Sequence, residues 1–229
     1  MSSKLSLSLA ALAVVATSAP ALAAADPTRY LDVDQARVLG TGVMATTMGT
    51  SSMVDFRYGL MKDTELAVGY GLKAGAALGD VAKGGYDLGV KYSLGNIAGL
   101  NVAGKLGVMA ADLSAPTTGL GYGASLPLGL GLGGLNLDLQ PYIMGSTAAN
   151  AAMTMGTRVG VRQNISNNLD LLVQAEYAMV GSTGNASAQT GVRYNLGGGG
   201  WLDLGLVDWS QASNATTWGK VSLTFVGNR

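Results

Sequence analysis

The sequence predicts an all-β chain closed into an up-and-down antiparallel transmembrane barrel of about twelve strands, and three observations predict it. Apolar side chains recur at every second position from residue 64 onward. The residues between them are polar or small, rich in Gly, Ala and Ser, which suits a crowded interior better than a solvated sheet surface. The segments run roughly 9 to 11 residues, the length that crosses a bilayer at a tilt, whereas soluble strands cluster near 5 or 6. Composition agrees with a single folded unit: 229 residues, 35 Gly, no Cys, no His, 12% charged and 48% hydrophobic. Fourteen Lys+Arg balance fourteen Asp+Glu, which removes the electrostatic basis for nucleic-acid binding.

Taken in order, residues 1–25 read as a secretory signal peptide. Lys4 supplies the positive start, residues 5–15 the apolar centre, and Pro20-Ala21-Leu22-Ala23-Ala24-Ala25 a small-residue cleavage site. An apolar run of ~11 residues is well short of the ~20 that a membrane-spanning helix needs. Residues 26–37 are the most polar stretch and carry no period. They are expected as a periplasmic lead-in, with a mobile terminus favoured over a segment folded into the lumen. Residues 38–229 form the barrel. Its first two strands, near 38–47 and 53–60, have the weakest pattern, and without them the count falls to ten.

The alternation is then regular. Leu66, Val68, Tyr70 and Leu72 oppose Glu65, Ala67, Gly69 and Lys73; Leu88, Val90 and Tyr92 oppose Asp87, Gly89 and Lys91; Leu106 and Val108 oppose Lys105 and Gly107. Leu137 and Leu139 oppose Asp138 and Gln140, Val159 and Val161 oppose Arg158 and Arg162, and Leu171, Val173 and Tyr177 oppose Asp170, Gln174 and Glu176. Val192 and Tyr194 oppose Arg193, Leu202 and Leu204 oppose Asp203, and Val221, Leu223 and Phe225 oppose Lys220, Ser222 and Thr224. The apolar face holds no charge. In a soluble β-sandwich that face would be the core; here the strand lengths and the small-residue face favour lipid.

Short turns are expected at 62–63, 95–99, 129–134, 164–168 and 197–200, each containing Gly, Asn or Asp. Looser connections are expected at 48–52, 74–83, 110–117, 146–152, 181–186 and 210–214. Tight turns at one end and longer loops at the other are the layout of a transmembrane barrel. Tyr58, Tyr92, Tyr194 and Trp201 fall near the tight turns, and Tyr70, Tyr86, Tyr122, Tyr177, Trp209 and Trp218 nearer the other end, as two interfacial girdles would require. Tyr142 has the opposite parity.

The signal peptide, the alternating strands with a charge-free face, the asymmetric connections and the apolar last strand, 219–226, resemble bacterial outer-membrane β-barrels of the small porin-like kind. The resemblance is architectural and spans the mature chain. It implies residence in the outer membrane, contact with outer-membrane lipid, delivery by the outer-membrane assembly machinery, no cofactor, and a passive channel for ions or small polar solutes. The alternative function is a closed structural or surface-interaction barrel. Many such proteins end in an aromatic residue, whereas here Phe225 is followed by Val226-Gly227-Asn228-Arg229.

Catalytic chemistry is scarce. Without His or Cys there is no Ser-His triad, no thiol nucleophile and no zinc site built on imidazole or thiolate. Outer-membrane phospholipases and omptin-type proteases resemble this architecture but rely on a catalytic His, so no enzyme is expected. The Gly129-Leu130-Gly131-Leu132-Gly133-Gly134 string matches G-x-G-x-x-G but leads into an alternating run, not a helix, and reads as a turn. The site residues expected to face the lumen are Glu65, Lys73, Asp87, Lys91, Lys105, Asp138, Arg158, Arg162, Asp170, Glu176, Arg193, Asp203 and Lys220. A tight 164–168 hairpin sets Arg162 opposite Asp170 and Arg158 diagonal to Glu176; the 197–200 turn sets Arg193 opposite Asp203, with Lys220 near it. These charges read as ion pairs that hold the wall in register, ahead of a charged constriction that orients solutes.

Overall fold

The computed structural model describes residues 29–30, 33–49, 53–72, 84–110, 119–210 and 215–228. The signal-peptide residues 1–25 and Lys73 lie outside them. Two short strands, β1 (Arg29–Tyr30) and β2 (Val33–Asp34), pair only with each other. Thirteen more follow: β3 (Val43–Gly49), β4 (Met53–Met61), β5 (Thr64–Leu72), β6 (Gly84–Ile97), β7 (Leu100–Ala110), β8 (Leu120–Ser125), β9 (Leu128–Leu132), β10 (Leu135–Ser146), β11 (Thr154–Ser166), β12 (Leu169–Val180), β13 (Thr183–Gly197), β14 (Gly200–Ser210) and β15 (Ala215–Asn228). β8 and β9 lie end to end between β7 and β10 and count as one strand, and β3 pairs with β15, so the antiparallel sheet closes as a barrel of twelve.

The break between β8 and β9 has a local cause. Pro127 has no N–H to give the ladder. The wall stays sealed because Ala103 donates to the Pro127 carbonyl at 2.9 Å and Leu126 donates to the Pro141 carbonyl at 3.0 Å. Closure leaves no free edge, the condition for a sheet to sit in hydrocarbon.

Side-chain placement decides between lipid and water outside. Leu88, Val90, Leu106, Val108, Val159 and Leu171 are exposed on the outer surface, while Glu65, Lys91, Arg162, Asp170, Arg193 and Asp203 are buried on the inner one. A soluble sandwich would reverse this arrangement. Tyr92 and Tyr194 are exposed toward the short-turn end, and Tyr122, Tyr177 and Trp209 toward the other.

At one end the strands are joined by two-residue turns at 62–63, 98–99, 133–134, 167–168 and 198–199. Four of these are tighter than the spans expected at 95–99, 129–134, 164–168 and 197–200, because the Gly and Asn residues flanking each turn pair in the ladder. At the other end, residues 73–83, 111–119 and 147–153 connect strands. The looser connection expected at 181–186 is instead a tight turn: Thr183 to Ala186 pair with Val180 to Tyr177, and Gly181, at φ +60°, lets the chain reverse there.

Ala98 is the one strained turn residue among the short-turn hairpins, at φ +53° before Gly99 at φ +91°. Two successive positive φ values are those of the I′ hairpin turn, which favours Asn-Gly. Ala98→Asn is therefore expected to stabilise the barrel by about 0.5–1 kcal/mol, since the left-handed conformation costs an ordinary L-residue about 1–2 kcal/mol. An unchanged or lowered urea midpoint would count against that turn geometry.

Candidate functional site

The lumen has two unlike halves. Toward the short turns it is packed. Residues 34–40, which precede β3, fold back inside the barrel, and Asp34, Gln35, Ala36 and Leu39 are only 2–4% exposed. Of the expected lead-in, Asp34, Gln35 and Ala36 are therefore interior. Asp34 reaches two walls at once: its carboxylate accepts from Arg57 Nη1 at 2.6 Å and from Lys105 Nζ at 2.7 Å. Its N–H bonds Gln140 Oε1 at 3.2 Å. Further along, Lys91 Nζ lies 3.5 Å from the Gln35 carbonyl, and the Leu39 N–H donates to Glu65 Oε2 at 3.0 Å. Leu39 also packs with Ala45, Trp201 and Val226.

The wall around this segment is an ion-pair lattice. Arg57 contacts Asp55 at 3.1 Å and Glu65 at 3.0 Å, and Glu65 contacts Lys91 at 3.1 Å. Lys91 and Lys105 are cross-strand partners; Glu65 beside the former and Asp34 beside the latter offset a like-charge pairing that would otherwise be unfavourable. On the opposite wall, Arg193 donates Nε and Nη2 to Asp203 at 2.6 and 2.7 Å, a bidentate pair. Its guanidinium lies 5.8 Å from the Trp201 ring centroid. Leu172 and Gln174 are also buried there.

Toward the other end the lumen opens into a cavity of about 430 Å³. Its wall includes small residues such as Gly71, Gly85, Gly89, Gly107 and Gly123, with Asp34, Asp55, Asp87, Lys105 and Arg158 as its charges. A Cβ at position 69 would lie 2.1 Å from Asp87 Oδ2, so the glycine there leaves room for that carboxylate. Arg158 and Glu176 face each other at 3.2 Å. Tyr142, inward as its parity indicated, donates to Glu176 while the Arg158 guanidinium lies 4.7 Å from its ring centroid.

Eleven of the thirteen expected lumen charges have described side chains: Glu65, Lys91, Asp138, Arg162, Asp170, Arg193 and Asp203 are buried, Lys105, Arg158 and Glu176 half-buried, and Asp87 exposed to the cavity. Lys73 and the Lys220 side chain are outside the described set; the Lys220 backbone pairs with Gly205, one step along the same face from Asp203. The register differs from expectation in β11 and β12. Asp170 pairs with Asn164 and Arg162 with Leu172, leaving Arg162 at 3.9 Å from Asp170, while Arg158 stands directly opposite Glu176. The hairpin turns later than expected, with a bulge between Asn164 and Ser166. A slip of two residues keeps every side chain on its face but changes its partner. Trp201, expected in a girdle, is inside, because it shares the parity of Asp203. Asp34, Asp55 and Arg57 were not foreseen, and Gln140 was placed on the polar face without being singled out as a site residue. Among the described residues, no three or more acidic side chains gather where they could hold a metal ion.

No protein-family model and no curated protein matches the chain. Solved structures do share its shape. A KdgM porin in complex with disordered oligogalacturonate superposes with a TM-score of 0.60 at 8% identity, covering 80% of this chain and 96% of that one. A NanC porin gives 0.55 at 9% identity, covering 82% and 98%. An outer-membrane channel from Pseudomonas putida F1 gives 0.54 at 11% identity, covering 86% and 99%. At such identities the likeness is one of fold: the chain has the closed twelve-strand architecture of outer-membrane porins.

Proposed function

We propose that this chain is a passive channel of the bacterial outer membrane for ions or small polar solutes, exported with loss of residues 1–25 and inserted by the outer-membrane assembly machinery. The observation that carries the reading is the inside-out barrel, with apolar side chains outward and charged ones around a cavity of about 430 Å³. Both signs line that cavity, so it favours polar solutes over apolar ones without committing to one charge. The lumen charges act mainly as wall-bracing pairs, and Asp87, exposed to the cavity, meets the solute. The fold shared with channel proteins supports the same assignment.

The test is single-channel recording in a planar bilayer with protein whose heat-modifiable gel migration shows it to be folded. Reproducible conductance steps are expected. Folded protein that inserts and stays silent at all voltages would remove the channel reading.

A further inference from the structure

We infer that residues 34–40 are a removable stopper that closes the short-turn half of the lumen, latched by the Asp34 carboxylate; the inference rests on the channel reading above. The stopper touches eight of the twelve barrel strands. Asp34 reaches β4, β7 and β10, the Gln35 carbonyl meets β6, and Leu39 meets β5, β3, β14 and β15. On the remaining arc, Arg162, Asp170, Leu172, Gln174 and Arg193 are all buried, so the packed layer extends across that wall as well.

Three features make the stopper separable from the wall. Residues 35–42 belong to no strand, and β1 and β2 form their own small sheet, so withdrawal breaks no barrel ladder. The chain enters β3 through Gly40 and Gly42, the latter at φ +79°, which marks a hinge where the Gly42 N–H bonds the Gly59 carbonyl at 2.8 Å. Most important, each buried cation of the wall keeps an acidic partner when Asp34 leaves, and the one net positive charge this uncovers falls beside the half-buried Lys105. Arg57 retains Asp55 and Glu65, Lys91 retains Glu65, and Lys105, whose side chain is 24% exposed, already meets the cavity. A buried cation stranded without a partner would make the open state costly; here none is.

A reversible lock tests this directly. The chain has no Cys, so Ala36→Cys with Gly129→Cys adds the only thiols. A Cβ at position 129 would lie 3.5 Å from the Ala36 Cβ, within disulfide range, and its tightest neighbour is the side-chain Oδ1 of Asp138 at 3.0 Å. Oxidation is expected to cross-link the pair and lower open probability at least about tenfold, and reductant to restore it. Asp34→Asn, without the lock, is expected to raise open probability at least about tenfold, as loss of a charge-assisted latch predicts. Cross-linked protein that conducts like reduced protein would overturn the stopper while leaving the channel reading intact. Failure of the thiols to cross-link would overturn the seat itself. Silence from wild type, from Asp34→Asn and from the reduced pair together would remove the channel reading and the stopper with it.

Discussion

Asp203→Ala is expected to destabilise the barrel by about 3–5 kcal/mol, the cost of leaving one buried ion without its counter-ion. Arg193 is 1% exposed and donates two nitrogens to Asp203 from the neighbouring strand. Without Asp203 the guanidinium loses both of these acceptors while it stays buried. Asp170 is the cross-strand partner of Arg193 on its other side and takes up part of the loss, which places the effect toward the lower end of the range. The double change Arg193→Met with Asp203→Leu is expected to recover most of the stability, because it removes both desolvation costs together. Urea unfolding of refolded protein in lipid vesicles measures both. A loss below about 1 kcal/mol for Asp203→Ala would mean that Asp170 alone compensates the guanidinium, and the pair would cease to be the brace of β13 and β14.

Faces were legible in the sequence because they depend only on parity. Glu65, Lys91, Arg193 and Asp203 sit inside for the same reason that Leu88 and Leu171 sit outside, and no knowledge of partners is needed. Partners were less legible, because register depends on where a hairpin turns. Asn164 and Ser166 look like turn residues yet pair as strand, and that displaced Arg162 from Asp170. Trp201 was misplaced for a different reason: its aromatic character suggested an interface, although two residues on, Asp203 marks the same face as interior. The stopper was the least legible part. Asp34 and Leu39 follow no period, and their partners lie far along the chain, at Lys105, Gln140 and Trp201. Local pattern carries no trace of such contacts. Asp55 and Arg57 did carry one, flanking Phe56 in alternation, but they fall in a strand whose weak apolar face hid it.

Leu106→Arg is expected to cost about 2–4 kcal/mol, the penalty for a cation on the lipid face near the bilayer midplane. Leu106 lies centrally in β7, pairs with Val90 and Ala124, and is 67% exposed on the outer wall. The sign of the argument depends on the solvent. In water, exchanging an exposed leucine for arginine on a sheet surface changes stability by about 0.5 kcal/mol or less in either direction. In hydrocarbon the same guanidinium must deform the bilayer or snorkel. Ser125→Asp supplies the inward control. Ser125 pairs with Lys105 across the strand and accepts from Gln140 at 3.1 Å, so an aspartate there keeps an acceptor and gains an opposite charge. It is expected to lie within about 1 kcal/mol of wild type. Urea midpoints of both variants in vesicles make the comparison. Equal midpoints for Leu106→Arg and wild type would mean that water, not lipid, covers this wall. The leucine and valine faces would then need a protein partner, and the channel would lose the membrane it is proposed to cross.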